Sequence, residues 1–271
     1  MSQPVSRAQS AAQAYHEYMV PAMFDPWAQL LVGQAAIRAG ERVLDVACGT
    51  GAVARRAAWQ VGAGGQVSAL DLNPVMLEVA RRQSVPEGAA ITWVQGSAQS
   101  LPFPDGSFEV VLCQHGLPFF PDPALALAEM RRVLRPGGRL LVTVWRSLDH
   151  SPLFSALNEA AVRLIGLPVY GAPFVLGAPG MIERLLVGAG FEEALVSEQT
   201  RELCFATPEH FVARNLQASS AAIPMLAALD ETERTKLAER MQSEMGALLA
   251  ASTRGEMLVT PMTGIIGQAR R

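Results

Sequence analysis

The sequence predicts a doubly wound α/β fold on a mostly parallel sheet, with a helical segment ahead of it and a helical insertion near the C-terminus. Three observations carry that reading. Short apolar runs alternate with helix-period segments from Arg42 to Trp145. The first of those runs passes straight into a glycine loop and then a helix. Half of the 271 residues are apolar (50%), enough to bury both faces of such a sheet.

The elements follow in order. Residues 1–40 read as two helical stretches, Arg7–Met19 and Pro26–Ala39, divided by Pro21 and by Asp25-Pro26, with Gly40 closing the second. Arg42–Ala47 is the first strand and Ala52–Gln60 its helix. Gln66–Leu70 is the second strand, and the next helix starts at an Asn73 cap with Pro74 in its first turn. Ala90–Val94 and Phe108–Cys113 are strands, Pro123–Leu134 a helix, and Arg139–Trp145 a strand entered through Pro136-Gly137-Gly138. Beyond His150 come helices over Pro152–Leu164 and Pro179–Val187, and strands over Phe191–Ser197 and Arg201–Ala206. Helices over Pro208–Gln217 and Asp230–Ala251 and a closing strand over Glu256–Ile266 complete the chain. No internal repeat is present. The expected organisation is a single domain over 1–271. Within it, 1–40 forms a helical lid, 41–150 the ligand-binding core, and 151–271 completes the sheet with a helical cap over 208–251.

Composition removes whole classes of function. A net charge of −3 offers no basic footprint for nucleic acid or an anionic membrane. Lys236 is the only lysine and stands outside any Gly-Lys-Ser/Thr phosphate loop. It lies in the charged stretch Asp230–Glu239, a poor setting for lowering a lysine pKa, so Schiff-base chemistry is disfavoured. Cys48, Cys113 and Cys204 form no metal-ligand or redox spacing and read as buried small side chains, with no metal expected. No signal-peptide pattern stands at the N-terminus. The longest uncharged run, Leu164–Ile182, is broken by Pro168, Pro173 and Pro179, so no membrane span and a cytoplasmic location are expected.

Val43–Gly51 is the segment that points to a ligand. Gly49 and Gly51 let the backbone turn tightly and come close to a bound group, and the helix after them offers unpaired N–H groups to an anion, a pyrophosphate or a carboxylate. Asp71, about 20 residues on at the end of the second strand, is placed to accept both hydroxyls of a ribose. Asp45 inside the first strand discourages a pyrophosphate and suits a ligand carrying a sulfonium and an ammonium. Hydride transfer by a Tyr-x-x-x-Lys pair is disfavoured too, since Thr232 stands four residues before the lone lysine.

Together these residues resemble the class I S-adenosylmethionine-dependent methyltransferases, and most nearly their ubiquinone/menaquinone-type small-molecule group. Leu44–Gly51 resembles the family's first motif, Asp71–Leu77 its second, and Gly96–Phe103 the loop that holds adenine. Glu109–Gln114 resembles the fourth strand and Leu134–Gly138 the turn before the fifth. The resemblance covers residues 40–150 and implies a Rossmann-like, seven-stranded sheet that converts S-adenosylmethionine to S-adenosylhomocysteine. Carried over by position, Asp45, Ala47, Gly49, Gly51 and Gln114 border the methionine part, Asp71 the ribose, and Leu72 and Met76 the adenine. Ser97 stands where the family often has an aspartate facing the adenine amino group, with the Ala98 N–H as the alternative contact.

The expected reaction is methyl transfer to an O or C atom of a small, largely apolar metabolite, by a monomer or homodimer. His115, immediately after the fourth strand, is the candidate base because imidazole titrates near neutrality. His16 with Tyr15 or Tyr18 on the first helix is the candidate lid. Tyr15, Tyr18, Phe24, Trp27, Leu117, Phe119, Tyr170 and Phe174 are candidate pocket walls, which favours an aromatic, polyketide-like or terpenoid acceptor and secondary metabolism. His150 and His210 read as surface residues. Two rivals remain: the same fold and cofactor without methylation, as in a cyclase or a non-catalytic module, and, more distantly, a nicotinamide-dependent oxidoreductase.

Overall fold

The computed structural model describes residues 6–84 and 87–271. Helix α1 (Arg7–Ala14) opens on a capping box, the Gln9 N–H donating to Ser6 Oγ at 3.2 Å and the Ser6 N–H to Gln9 Oε1 at 3.0 Å. Tyr15–Phe24 is π-helical and holds Pro21 within it, where the sequence suggested a break. Helix α2 (Asp25–Gln34) stops short of the expected Ala39, with Ala36 in the left-handed region at φ 46°.

Strand β1 (Arg42–Val46), α3 (Ala52–Val61), β2 (Gln66–Asp71) and α4 (Pro74–Arg82) follow the expected rhythm. So do β3 (Ile91–Gln95), β4 (Phe108–Gln114) and α5 (Pro123–Val133). Strand β5 (Leu134–Trp145) starts earlier than expected because Leu134 already pairs with Phe108, and the residues between Leu134 and Arg139 bulge out where the register shifts. The rest comprises α6 (Pro152–Ile165), α7 (Met181–Gly188), β6 (Glu192–Ala206), α8 (Phe211–Ser219) and α9 (Pro224–Ala228). Helix α10 (Glu231–Ser252), β7 (Thr253–Arg254) and β8 (Met257–Arg270) close the chain. Strand β6 replaces the two short strands expected over Phe191–Ala206.

The sheet runs β3-β2-β1-β4-β5-β8-β6, with the two-residue β7 paired to β8 off that path. The first five strands are parallel and β8 is antiparallel to β5. The order reverses between β1 and β4, so the crevice that such sheets offer a ligand opens past the carboxyl ends of those two strands.

The chain divides into two compact units. The larger, Asp25–Arg146, Pro173–Gln199 and Gly264–Arg271, carries the parallel sheet. Alternate positions feed two cores. Val43, Val67, Ala69, Val110 and Leu112 meet Ala28, Leu31, Ala54 and Ala57 of α2 and α3, while Leu44, Val46, Val111 and Val142 meet Leu127, Met130, Ile182 and Leu186 of α5 and α7. Burying each of these larger aliphatic side chains stabilises the fold by about 1.5–3 kcal/mol.

The smaller unit takes in Met1–Phe24, Ser147–Ala172 and Thr200–Thr263. Helix α10 packs on α6 and α8 through Leu237, Met241, Met245 and Leu249, a helix-period stripe, and is nucleated by an Asp230–Glu233 capping box. Cys48 and Cys113 are buried as expected, but Cys204 on β6 is exposed, because Leu203 and Phe205 on either side take the buried face. No helix of the described residues is long and apolar enough to cross a membrane.

Candidate cofactor site

The loop after β1 is built from backbone conformations that most side chains avoid. Ala47, Gly49 and Gly51 have φ of 57°, 53° and 86°. Ala47 therefore carries strain of order 1 kcal/mol. At Gly51 a Cβ would stand 2.4 Å from Trp93 Cη2, so only glycine fits. Gly51 caps α3 without a side chain, which leaves the first-turn N–H groups of that helix open to a carboxylate.

Asp71 ties this loop to β2. One carboxylate oxygen accepts the Gly49 N–H and the other the Asn73 N–H, each at 2.8 Å. Beyond these bonds the carboxylate keeps acceptor capacity for a ribose hydroxyl. Burial raises its pKa, with the Asn73, Gly49 and Leu72 N–H groups pulling it back down.

Asp45 is 1% exposed, and neither carboxylate oxygen has a hydrogen-bond partner of ordinary geometry among the described residues. Desolvation holds its pKa well above the usual carboxylate range; the Ala54 N–H and the Arg55 guanidinium act the other way, less strongly, and the charge of Asp71 adds to the rise. Burial raises the Cys48 thiol as well, reinforced by Asp45 and Asp71. Two carboxylates in so dry a place suit a positive group better than a negative one.

Strand register puts the polar positions on one face. Asp45 pairs with Ala69 and Leu112, Leu112 with Leu141, and Gln114 with Thr143. Asp71, Gln114 and Thr143 therefore share the α2/α3 face of the sheet, at its carboxyl edge. Thr143 is fully buried and its Oγ1 has no partner among the described residues. Sequence reading missed it; a lone threonine inside the apolar run Leu140–Trp145 was the available signal.

His115 follows Gln114 in a left-handed conformation, φ 53°, and donates its N–H to the Thr143 carbonyl at 2.9 Å. Its ring stacks on Trp145, centroids 3.7 Å apart at 13°, and meets Trp27 edge-on at 5.8 Å. Desolvation pushes its pKa down to about 3, so the expected titration near neutrality is corrected: the two indoles, remote in sequence, keep the imidazole dry and neutral. Gly116 brings this loop against the first, since a Cβ there would lie 2.6 Å from Ala47 Cβ.

The other expected positions fall as follows. Leu72 is 69% exposed beside Asp71, and Met76 is buried in α4. Ser97 Oγ accepts the Gln99 N–H at 3.2 Å in a tight turn, and Ala98 is buried. Leu117 and Trp27 are wholly buried among core side chains, Phe174 is nearly so, and Phe119 is exposed. In the smaller unit Tyr15 stacks on Phe24 at 5.0 Å, Tyr18 lies between Phe205 and the Arg214 guanidinium, and Tyr170 meets Phe154 edge-on. His150 and His210 are exposed.

Residues 44–142 match the model of a methyltransferase domain family. The ubiquinone/menaquinone biosynthesis C-methyltransferase UbiE of Cellvibrio japonicus is 38% identical over 173 residues, 59% of this chain and 69% of that protein. The chain belongs to the class I S-adenosylmethionine-dependent methyltransferases of the ubiquinone/menaquinone type. The UbiE protein of Hahella chejuensis is 45% identical over 148 residues, covering 54% of this chain and 59% of its own length. The chain thus spans about three fifths of that relative. A putative methyltransferase from Bacillus halodurans shares its fold, with a TM-score of 0.55 at 24% identity over 90% of this chain and 97% of the other.

The cofactor of the family is S-adenosylmethionine, and the residues present fit it. A buried carboxylate with no donor of ordinary geometry suits a cationic group, a glycine cradle that no Cβ can enter suits a close ligand, and Asp71 keeps acceptor capacity for a hydroxyl. Among the described residues no group of three His, Cys, Asp or Glu side chains could hold a metal ion.

Proposed function

We propose that the protein transfers the methyl group of S-adenosylmethionine to a carbon or oxygen atom of a small, largely apolar molecule. The observation that carries this reading is the dry carboxylate Asp45 beneath a glycine loop whose Gly49 N–H is fixed by Asp71. A pyrophosphate would meet repulsion there; a sulfonium with its ammonium would meet attraction. The C-methyltransferase names of the relatives favour carbon as the acceptor atom.

When bound, the cofactor supplies an electrophilic methyl carbon. The chain's task is then alignment and exclusion of water, because a sulfonium cation and an acceptor that has already lost its proton to solvent, such as a phenolate or enolate, give neutral products. Gly49, Gly51 and the first turn of α3 take the carboxylate of the methionine part, and Asp45 compensates its positive charges. Asp71 holds the ribose, with Leu72 and Met76 flanking the adenine and Ser97 and Ala98 at its edge. Gln114 lies under the methionine part. His115 acts as a neutral hydrogen-bonding wall beside the acceptor rather than as a proton store, since a dry imidazole takes up no proton at ordinary pH. Residues 41–150 supply the cofactor-binding part, and the enzyme works in the cytoplasm, without nucleic acid, as a monomer or homodimer.

The test is transfer of isotope-labelled methyl from S-adenosylmethionine to a library of quinols, phenols, polyketides and terpenoids. Label is expected in at least one apolar acceptor, with S-adenosylhomocysteine formed in equal amount. Binding of NAD instead of S-adenosylmethionine in a calorimeter would overturn the reading.

A further inference from the structure

On the solvent side of α2 and α3, within the larger unit, lies a cleft of about 600 Å³ that the methylation chemistry leaves unused. That volume falls within the range of about 300–1,000 Å³ typical of small-molecule sites. Arg55, Arg56, Asp25, Trp59, Gln29 and Gln60 are among its walls. Their chemistry is uneven. Arg56 is spent on Asp25, to which it donates two hydrogen bonds of 2.6 and 2.8 Å. Arg55 is not: it donates to the Thr50 carbonyl at 2.7 Å and has no carboxylate within ion-pair distance among the described residues. Two guanidiniums stand against one carboxylate in the cleft, and Arg55, attracted by Asp25 and by the buried Asp45 but paired with neither, is the one that keeps donors for a ligand.

Arg55 is half-buried, and a guanidinium has five N–H donors, so it can keep Thr50 and still grip a second, bidentate acceptor. Trp59, one turn further along α3, is 65% exposed and presents an indole, the side chain that most favours a flat ligand. Gln29 and Gln60 are exposed amides, suited to polar atoms at a ligand's rim.

We propose that this cleft is a binding site for a small planar carboxylate, its anionic end held by Arg55 and its flat apolar body laid on Trp59. The site is independent of the methyl acceptor, and its occupant need not be methylated.

The probe is 2-naphthoate, followed by the indole N–H resonances of the uniformly ¹⁵N-labelled full chain with saturating S-adenosylhomocysteine present. Trp59 is assigned from the Trp59→Phe variant. The Trp59 resonance is expected to shift saturably with 2-naphthoate. Neutral 2-naphthylmethanol should bind about tenfold more weakly or worse, and so should 2-naphthoate to the Arg55→Met variant, the loss of one charge-assisted pair. The alcohol comparison needs no variant, so it stands even if Arg55→Met folds poorly. Equal binding of acid and alcohol, an unmoved Trp59 resonance, or shifts confined to Trp27 and Trp145 would each overturn the site. Failure of S-adenosylhomocysteine to bind would strike the methyltransferase reading and leave this one standing.

Discussion

A carboxylic acid with no donor of ordinary geometry on either oxygen is costly in a protein interior unless it is protonated or meets a cation. Asp45 is in that position. Above its ordinary pKa and below its raised one, the free protein holds the proton, and a cationic cofactor should expel it. S-adenosylmethionine binding is therefore expected to release up to one proton per site, read by calorimetry in two buffers of unlike ionisation enthalpy. Asp45→Asn should abolish the release; an unchanged release would assign the proton elsewhere. Asp71→Ala removes the hydroxyl acceptor and frees the Gly49 N–H, so cofactor affinity should fall about 10- to 100-fold. His115 behaves oppositely to Asp45. Its folded pKa of about 3 lies below the unfolded value of about 6.5, so the unfolded chain binds the extra proton between them. Its contribution is intact above that upper value and is lost as pH falls through the window. Urea denaturation at pH 5 against pH 7 should show wild type losing about 2 kcal/mol more than His115→Phe. The tight glycine turn at Gly49 and Gly51, and the placing of Asp71 beside it, were legible because both lie within one short strand–helix–strand stretch. The dryness of His115 was not, because Trp27 and Trp145 reach it only through the fold.

Elements with local instructions were read well. Asn73 and Pro74 start α4, Asp122 and Pro123 start α5, and alternation or apolar runs mark the parallel strands, each signal lying inside the element it specifies. Where neighbours decide, the reading slipped. Polar Glu198–Thr200 looks like a gap, yet β6 passes through it, because an edge strand exposed on both sides accepts polar residues. The close approach of the β1 and β4 loops was equally invisible, although it shapes the crevice. Gly116→Ala would drive a methyl into Ala47 and Cys113 Sγ, at 2.6 and 3.0 Å. We expect a loss of about 1–3 kcal/mol in denaturant unfolding together with weaker cofactor binding. Retained stability with retained affinity would mean that the loops part without cost.

Across the whole molecule, the residues proposed to hold the cofactor all belong to the larger unit, which gathers Asp25–Arg146 with two later segments. Sequence blocks cannot announce such a unit, since its last pieces return from Pro173 and Gly264. Cofactor binding should stabilise the folded chain against heat. At a hundredfold excess over Kd the gain is about 2.7 kcal/mol, or roughly 5–10 °C in Tm for a chain of this size. S-adenosylhomocysteine should produce that shift in scanning fluorimetry and NAD should not; the reverse order would undo the cofactor assignment. The solvent-facing thiol of Cys204 has a practical side. Cys48 and Cys113 are shielded, burial pushing Cys113 up to about 12, so a maleimide dye should attach to Cys204 alone. Lys236, exposed and the sole lysine, offers the one side-chain amine. The unmodified sequence thus carries two orthogonal handles in its smaller unit, enough for two-colour energy-transfer measurements without first engineering a residue.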